Sequence, residues 1–250
     1  MRNPKPWNPG HVLLTGASSG IGAALAGALA APGRRLTLMG RDGARLAAVA
    51  ALCAGKGATV ETRAADVTDA GAMRAAVEAA PGPIDLVVAN AGVSGSAGGT
   101  RRIFAVNLEG LVNTVEPAIA RMRTQGFGQI GIVSSLASFK GFPNAPAYCA
   151  SKAAARLYGE GLRGRLRPQG IAVSVICPGF VRTPLTTDNP FPMPFLMEPE
   201  EAARRIVEGL AADRARIAFP RRLYWPTLWL SLLPPGLTDR LGSEFQVKEK

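Results

Sequence analysis

Residues 15–22 have the sequence TGASSGIG, and an apolar run, HVLLT at 11–15, leads into them. Gly16, Gly20 and Gly22 permit a tight turn, a close approach of the backbone to a pyrophosphate, and close packing of the helix that follows. The N-terminus of that helix would attract phosphate. The spacing is one residue longer than the usual dinucleotide fingerprint. This motif alone therefore leaves open a nucleotide-binding turn or an ordinary turn with a capping serine.

Short apolar runs alternate with alanine-rich helical segments along the rest of the chain. We predict helices at 21–31, 43–54, 69–80, 103–124, 147–167 and 199–212, and strands at 11–15, 35–39, 58–63, 84–90, 129–135, 171–177 and 215–220. Such alternation is typical of a parallel sheet covered on both faces. The prediction is an α/β, doubly wound parallel sheet (Rossmann fold) of about seven strands, forming a single domain over residues 1–250. Its ligands would bind at the carboxyl ends of the strands.

The charge balance favours anionic partners. The 250 residues include 29 Lys and Arg against 18 Asp and Glu, a formal net charge of +11, which suits a phosphate-bearing cofactor, an acidic membrane surface or nucleic acid. The arginines are scattered, and neither a basic helix interleaved with aromatics nor a helix-turn-helix pattern occurs. We therefore expect no nucleic acid among the partners.

Cysteine usage and the N-terminus bear on the compartment. Cys53, Cys149 and Cys177 are odd in number and lack CxxC spacing, which favours a reduced, cytoplasmic location. Residues 1–10 lack the apolar core of a signal peptide, and no window reaches the ~18 apolar residues of a spanning helix. No metal site is predicted. His11, the only histidine, is expected to pack or to lie on the surface.

Residues 148–152 read YCASK and begin a helical pattern. Tyr148 and Lys152 are four residues apart, so they are neighbours on one helix face. A nearby positive charge lowers the pKa of a phenol, ordinarily ~10, by ~1–3 units, and such a phenol could exchange a proton near neutral pH. The alternative is an amphipathic surface helix with a half-buried tyrosine and a lysine that reaches solvent.

Seven motifs occur in order along the chain: TGASSGIG (15–22), DV (66–67), NAG (90–92), the Asn of VNLEG (107), SS (134–135), YCASK (148–152) and PGFVRT (178–183). With the alternation of strands and helices, they make roughly residues 10–220 resemble the short-chain dehydrogenase/reductase family. The resemblance implies an oxidoreductase that transfers a hydride between a nicotinamide cofactor and a carbonyl or alcohol.

The resemblance also implies roles for four catalytic residues. Tyr148 would donate or accept the proton, and Lys152 would lower the pKa of Tyr148 and hydrogen-bond the nicotinamide ribose. Ser135, preferred over Ser134 because it stands thirteen residues before Tyr148, would hold the substrate oxygen. Asn107 would position a water in the proton relay. Charge developing on the substrate oxygen would be stabilised by the serine and the tyrosine.

Cofactor binding falls, by the same resemblance, on the motif residues and the end of the second strand. Asp66 would meet the adenine amino group, residues 90–92 would line the ribose, and residues 178–183 would border the nicotinamide. The full set is Gly16, Ser18, Ser19, Gly20, Ile21, Gly22, Arg41, Asp66, Val67, Asn90, Ala91, Gly92, Tyr148, Lys152, Pro178, Gly179, Val181 and Thr183.

The end of the second strand indicates which cofactor is used. NAD enzymes of this fold place an acid there for the ribose 2′-hydroxyl, whereas an arginine accommodates a 2′-phosphate. Gly40 stands where the acid is usual, Arg41 follows it, and Asp42 is better placed as a helix N-cap. Arg41, helped by Ser18, therefore favours NADP(H), and NAD(H) is the alternative.

The substrate side departs from the family pattern. Only seventeen positions separate Asn90 from Asn107, fewer than the family leads us to expect, so we predict an open cleft on that side. Residues 183–201 occupy the position of a substrate lid and are rich in Pro, Phe, Met and Leu. They favour an apolar substrate if they line the cleft, and packing on the core is an equal alternative.

An apolar tail occupies residues 221–250, of which 221–245 read RRLYWPTLWLSLLPPGLTDRLGSEF. We predict a helix of about two turns, with Pro226 in its first turn and Pro234–Pro235 ending it. It could close the cleft, form a subunit contact or lie at a membrane surface. Enclosure of an apolar substrate is preferred, and peripheral membrane contact is second.

The leading hypothesis is an NADP(H)-dependent carbonyl reductase or alcohol dehydrogenase acting on an apolar small molecule, as a homodimer or homotetramer. The alternatives are an NAD-dependent alcohol dehydrogenase and a catalytically idle, cofactor-sensing protein.

Overall fold

A computed structural model of the chain describes residues 7–95, 99–187, 189, 192–234 and 236–237. Within these residues the strands are β1 (His11–Thr15), β2 (Arg35–Gly40), β3 (Thr59–Ala64), β4 (Leu86–Ala89), β5 (Gly128–Val133), β6 (Ile171–Pro178) and β7 (Arg216–Phe219). They form one seven-stranded sheet in the order β3-β2-β1-β4-β5-β6-β7, and every neighbouring pair is parallel. The predicted parallel sheet is confirmed.

Helices cover both faces of this sheet. Over the same described residues they are α1 (Gly20–Leu29), α2 (Gly43–Ala54), α3 (Ala70–Glu78), α4 (Gly99–Phe104), α5 (Gly110–Gln125), α6 (Pro146–Leu166), α7 (Pro199–Ala211) and α8 (Arg221–Ser231). Val12 and Leu14 of β1 lie in a core with residues of α1, α2 and α7, whereas Leu13 lies in a second core with α3, α5 and α6. Successive strand residues point to opposite faces, so the two cores confirm the doubly wound fold.

The strand order reverses at the centre of the sheet. β1 lies between β2 and β4, so the connections leaving β1 and β4 turn away in opposite directions. Such a reversal opens a crevice at the carboxyl ends of the strands. The TGASSGIG turn follows β1 and the NAG motif follows β4, so both motifs meet at this crevice.

The helix predicted at 103–124 is interrupted. α4 leads into a π-helical segment at Ala105–Glu109, and α5 begins after it. Asn107, in the wider turn, accepts a hydrogen bond from the Val93 N–H at 2.8 Å and donates one to the Val93 carbonyl at 2.9 Å. These bonds hold the carboxamide against the loop after β4. π-helical turns occur frequently at functional sites.

The C-terminal helix begins earlier than predicted. Pro226 lies inside α8, not in its first turn, because α8 starts directly after Pro220. The missing N–H of a proline costs one intrahelical hydrogen bond. Packing offsets this loss: Leu223 and Tyr224 rest on the core beside Leu136. In the part of the chain that the structure describes, no helix is both long and apolar enough to cross a membrane, and residues 235 and 238–250 of the predicted tail lie outside it.

Candidate active site

A cleft of about 240 Å³ opens at the carboxyl ends of the strands. The predicted cofactor-binding residues all line it, together with Ser135. Of the four predicted catalytic residues, Asn107 is the one that does not line this cleft. It is 2% exposed and lines a smaller cavity. The topology therefore brings together motifs that are spread over residues 16–183.

The glycine-rich turn has a backbone that only glycine accommodates. Gly16 and Gly20 have φ values of +65° and +54°, in the region that side chains rarely adopt. A Cβ on Gly16 would lie 2.8 Å from the Ala91 Cα, and one on Gly22 would collide with the Gly16 carbonyl oxygen. The resulting cradle at the start of α1 fits a pyrophosphate, which helix N-termini attract.

Asn90 fixes this turn from the neighbouring strand. Its Nδ2 donates to the carbonyls of Thr15 at 3.0 Å and Gly16 at 3.1 Å. The Thr15 hydroxyl in turn accepts hydrogen bonds from the backbone N–H groups of Asn90 and Ala91. Besides its predicted role at the ribose, Asn90 therefore has a structural role: its side chain links the two loops that form the crevice.

Two adjacent serines take different positions at the end of β5. The Ser134 hydroxyl donates to the Lys152 carbonyl at 2.7 Å, which ties it to the backbone of α6. The Ser135 Oγ accepts from the Ala137 N–H at 3.1 Å and is hydrogen-bonded to Tyr148. Of the two serines, Ser135 is therefore the one whose hydroxyl lies next to the Tyr148 phenol.

The pKa of Tyr148 differs in direction from the sequence expectation. Burial raises it to about 12, against the opposing effect of the Ser135 hydrogen bond. Lys152 is not among the causes of this shift: its Nζ lies 5.8 Å from the ring centroid and donates to the Val133 carbonyl at 3.0 Å. Its predicted lowering of the pKa of Tyr148 remains a prediction. At neutral pH the phenol is therefore protonated and can donate.

Lys152 is itself buried, with 4% of its surface exposed. Burial lowers the pKa of its ammonium to about 8, so the group is still largely charged at pH 7. A Cβ on Gly92 would lie 3.2 Å from the Lys152 Nζ and 3.3 Å from the Asn107 Oδ1. A side chain at position 92 would therefore crowd both polar groups.

Asn107 connects the loop after β4 with α6. Besides its bonds to Val93, its Nδ2 donates to the Ser151 Oγ at 3.0 Å, and that hydroxyl donates to the Tyr148 carbonyl at 2.8 Å. Its predicted role, positioning a water, remains a prediction. What the geometry shows is a rigid link from the π-helical segment to the turn of α6 that carries Tyr148.

The end of β2 presents a positive charge to the cleft. Gly40 and Arg41 line it, and a Cβ on Gly40 would lie 3.2 Å from the Ser18 Oγ, so little room exists for a larger residue. Asp42 accepts from the Arg45 N–H at 3.0 Å and caps α2, as expected, and its carboxylate pairs with the Arg45 side chain. Asp42 therefore leaves Arg41 unneutralised.

Asp66 has a partner that sequence reasoning missed. The Arg102 Nη2 donates to Asp66 Oδ2 at 2.8 Å, and both residues line the cleft. Burial raises the pKa of the Asp66 carboxyl, but the hydrogen bonds from Arg102 and Thr68 bring it to about 2. The separation of 36 positions between the partners gives no local signal. The cleft has further lining residues that were not predicted: Ala65, Val93, Arg102, Val106 and Val133. Pro184, Leu185 and Thr186, which also line it, belong to the predicted lid.

The lid borders one side of this cleft, and the tail helix α8 packs behind one of its lining residues. Val181 pairs with Met197 in a short bridge that joins the two ends of the lid loop, and Leu185 of the loop lines the cleft. Positions 188, 190 and 191 lie outside the described residues, and 199–201 belong to α7. α8 does not reach the cleft with its described residues, but the Leu223 Cδ2 would lie 3.1 Å from a Cβ on Gly179.

Comparison with known proteins agrees with this geometry. Residues 10–191 match the family model described as short chain dehydrogenase. An "uncharacterized oxidoreductase" of Myxococcus xanthus is 40% identical over 237 residues, which cover 91% of this chain and 94% of the relative.

Two solved structures share the fold. A short-chain dehydrogenase from Sphingobium yanoikuyae in complex with NADPH superposes with a TM-score of 0.79 at 28% identity, covering 96% of this chain and 98% of that one. A short chain dehydrogenase from Mycobacterium paratuberculosis bound to NAD gives 0.74 at 26% identity, with coverages of 83% and 94%.

The fold and the site therefore define a Rossmann-fold oxidoreductase. The chain belongs to the short-chain dehydrogenase/reductase family, an assignment that the motifs predicted. It binds a nicotinamide dinucleotide, NAD(P), as the family does.

Proposed function

We propose that the protein is an NADP(H)-dependent carbonyl reductase in which Tyr148 supplies the proton. The observation that supports this most strongly is the convergence of Tyr148, Ser135 and Lys152 at one part of the cleft, while Arg41 lines another part without a carboxylate partner among the described residues. A catalytically idle protein would not require Tyr148, Ser135 and Lys152 to lie together. An NAD enzyme would be expected to carry an acid in place of Gly40.

The reduced nicotinamide supplies the hydride for this reaction. The chain's own groups provide the acid and the positive charge. Tyr148, which is protonated at neutral pH and whose pKa burial raises to about 12, would donate its proton to the substrate oxygen as negative charge develops there. Ser135, hydrogen-bonded to Tyr148, would hold the same oxygen, and the Lys152 ammonium beneath the ring would stabilise the phenolate that remains.

NADP(H) preference rests on the end of β2. A guanidinium makes paired, charge-assisted hydrogen bonds to a phosphate, and Arg41 and Ser18 line the same part of the cleft. Asp42 is engaged with Arg45, so it does not offer a carboxylate to a ribose 2′-hydroxyl. These contacts support a 2′-phosphate in preference to a free hydroxyl.

The substrate class rests on the lid. Leu185, 40% exposed, lines the cleft beside Pro184, and Leu223 of α8 lies behind Gly179. Both favour an apolar carbonyl compound. The tail would then act by supporting the Gly179 wall of the cleft, and not by covering the opening.

Peripheral membrane contact is a second proposal for the tail. Trp225 and Trp229 are 53% and 69% exposed on α8, and Arg221 and Arg222 are exposed at its start. Aromatic residues beside basic ones suit an anionic lipid surface. Sedimentation with anionic vesicles, compared between wild type and the double variant Trp225→Ser/Trp229→Ser, would test this, and equal recovery in the pellet would contradict it.

A substrate screen tests the main proposal. Aldehydes, ketones and alcohols of graded polarity are incubated with the protein and each cofactor, and the absorbance of the reduced nicotinamide is followed. We expect reduction of apolar carbonyl compounds with NADPH at a higher kcat/KM than with NADH. Higher activity with NADH would favour the NAD-dependent alternative, and cofactor binding without turnover on any substrate would favour an idle, cofactor-sensing protein. Sedimentation equilibrium in the same buffer tests the expected homodimer or homotetramer.

A further inference from the structure

Arg102 is a cation in the cofactor cleft to which no motif assigned a role. It lies in α4, its side chain is 30% exposed, and it pairs with Asp66, whose side chain is 32% exposed. The neighbouring Arg101 is exposed and does not line the cleft. Arg101 and Arg102 therefore carry the same charge on the same helix, but of the two only Arg102 lines the cleft.

The hydrogen bonds of Asp66 define how its carboxylate is oriented. Oδ1 accepts from the Thr68 N–H at 3.0 Å and the Thr68 hydroxyl at 2.8 Å, and Oδ2 accepts from the Arg102 Nη2 at 2.8 Å. A carboxylate offers about four lone-pair positions. Three are used, which leaves one position on Oδ2, next to the guanidinium, for a further donor.

Arg102 in turn has donors beyond the one that Asp66 accepts. A guanidinium carries five N–H groups in a fixed plane, and Nη2 is the nitrogen that contacts Asp66. Side by side, Asp66 and Arg102 thus present an acceptor next to a donor. Adenine presents the complementary pattern, an exocyclic amino donor next to a ring-nitrogen acceptor.

We propose that Arg102 is a second adenine-recognition residue, which donates to a ring nitrogen while Asp66 accepts from the adjacent amino group. The inference rests on the proposed nucleotide-binding function, and it adds base selectivity at a place where the resemblance implied only a contact to Asp66. Hypoxanthine carries a carbonyl oxygen where adenine carries the amino group, so it cannot satisfy the Asp66 carboxylate and the guanidinium in the same register.

The test compares nucleotide fragments in a binding cycle. Dissociation constants for ADP, IDP and 2′,5′-ADP are measured by isothermal titration calorimetry with the wild type and the variants Arg102→Met, Arg101→Met and Arg41→Ala. A base pattern read by a donor and an acceptor is worth about tenfold or more in affinity. We therefore expect wild type and Arg101→Met to bind ADP about tenfold or more tightly than IDP, and Arg102→Met to lose most of that ratio.

Arg41→Ala separates base recognition from phosphate recognition. It should keep the ratio of ADP to IDP while it loses the preference for 2′,5′-ADP over ADP. Arg102→Lys, which keeps the charge but not the planar fork, serves as a second variant if Arg102→Met does not fold, and it should also lose the ratio of ADP to IDP.

The outcomes are distinguishable. Failure of the wild type to bind any of the three nucleotides would defeat the proposed function itself. Equal wild-type affinity for ADP and IDP would overturn only the inference about Arg102. The inference is also overturned if Arg102→Met matches Arg101→Met, or if it weakens ADP and IDP by the same factor, because the guanidinium would then act as a charge alone.

Discussion

Replacing Lys152 with methionine should separate the stability of the fold from the chemistry of the site. Lys152 is 4% exposed, and burial lowers the pKa of its ammonium from 10.5 to about 8. That difference corresponds to about 3–4 kcal/mol, at about 1.4 kcal/mol for each pH unit. At pH 7 the folded wild type carries this cost of a buried charge, and the methionine variant does not.

The lowered pKa of Lys152 also fixes the direction in which the stability of the wild type changes with pH. Because the folded-state pKa is lowered, the unfolded chain holds a proton between pH 8 and 10.5 that the folded chain has released, so wild-type stability rises with pH across that window. The variant lacks this rise. The advantage of Lys152→Met in free energy of unfolding should therefore shrink by about 2–3 kcal/mol between pH 7 and pH 10, whatever the lost hydrogen bond to Val133 costs at both pH values.

Urea unfolding of the cofactor-free proteins at a series of pH values measures this change. Lys56→Met is the matched control, because the Lys56 Nζ also donates to a backbone carbonyl, that of Gly27 at 2.7 Å, but on the surface. The control should follow the wild type at every pH. Lys152→Met should lose turnover at all pH values. A stability difference between Lys152→Met and wild type that is the same at pH 7 and pH 10 would refute the buried, low-pKa ammonium.

Three further predictions concern the cleft. Arg41→Ala should weaken NADPH binding by about tenfold or more, because charge-assisted bonds of ~1.5–3 kcal/mol are lost, and should leave NADH binding nearly unchanged in a fluorescence titration; equal losses would contradict the assignment. Gly22→Ala should abolish binding of both cofactors or destabilise the fold by several kcal/mol, since its Cβ would collide with the Gly16 carbonyl; a normal melting temperature together with normal affinity would contradict the cradle. Leu223→Ser should raise KM for apolar substrates, because it removes the side chain behind Gly179, whereas the outward Trp229→Ser should not; equal KM values for the two variants would count against a role for α8 at the cleft.

Much of the fold could be predicted because its signals are local. Apolar runs mark the strands, and the parallel arrangement follows from their alternation with helices. The glycines of the first turn were predictable for the same reason: at Gly16 and Gly22 a side chain has no room. Most of the predicted site residues converge on one cleft because their motifs stand at strand ends, and carboxyl ends of parallel strands share one edge. Tyr148 and Lys152 reach the same cleft from the start of α6.

The remaining features depend on contacts between distant residues. In the π-helical segment the Asn107 side chain bonds to the backbone of Val93, and helical periodicity gives no sign of such a bond. The ion pair of Arg102 with Asp66 is equally non-local. Pro226 predicted the start of a helix, but the packing of Leu223 on the core lets the helix begin before the proline.

The pKa of Tyr148 shows a different limit. Sequence spacing places a lysine one turn away and suggests a lowered value, but burial raises it to about 12. The four-residue spacing indicates that a charge is nearby, but it gives no information on how far the folded protein excludes solvent from the phenol. The phenol therefore stays protonated at neutral pH, as the proposed role of Tyr148 as an acid requires.

The assignment of Tyr148 as the acid is tested by single-turnover reduction of an apolar carbonyl compound by NADPH with Tyr148→Phe, alongside the Kd of NADPH for the same variant. Removing the hydroxyl deletes the proton donor and leaves the ring and Lys152 in place. We expect a rate lower by about 10²–10⁴-fold and a Kd of NADPH changed by less than about threefold, which is below 1 kcal/mol. A variant that keeps a rate within tenfold of the wild type would contradict the assignment of Tyr148 as the acid.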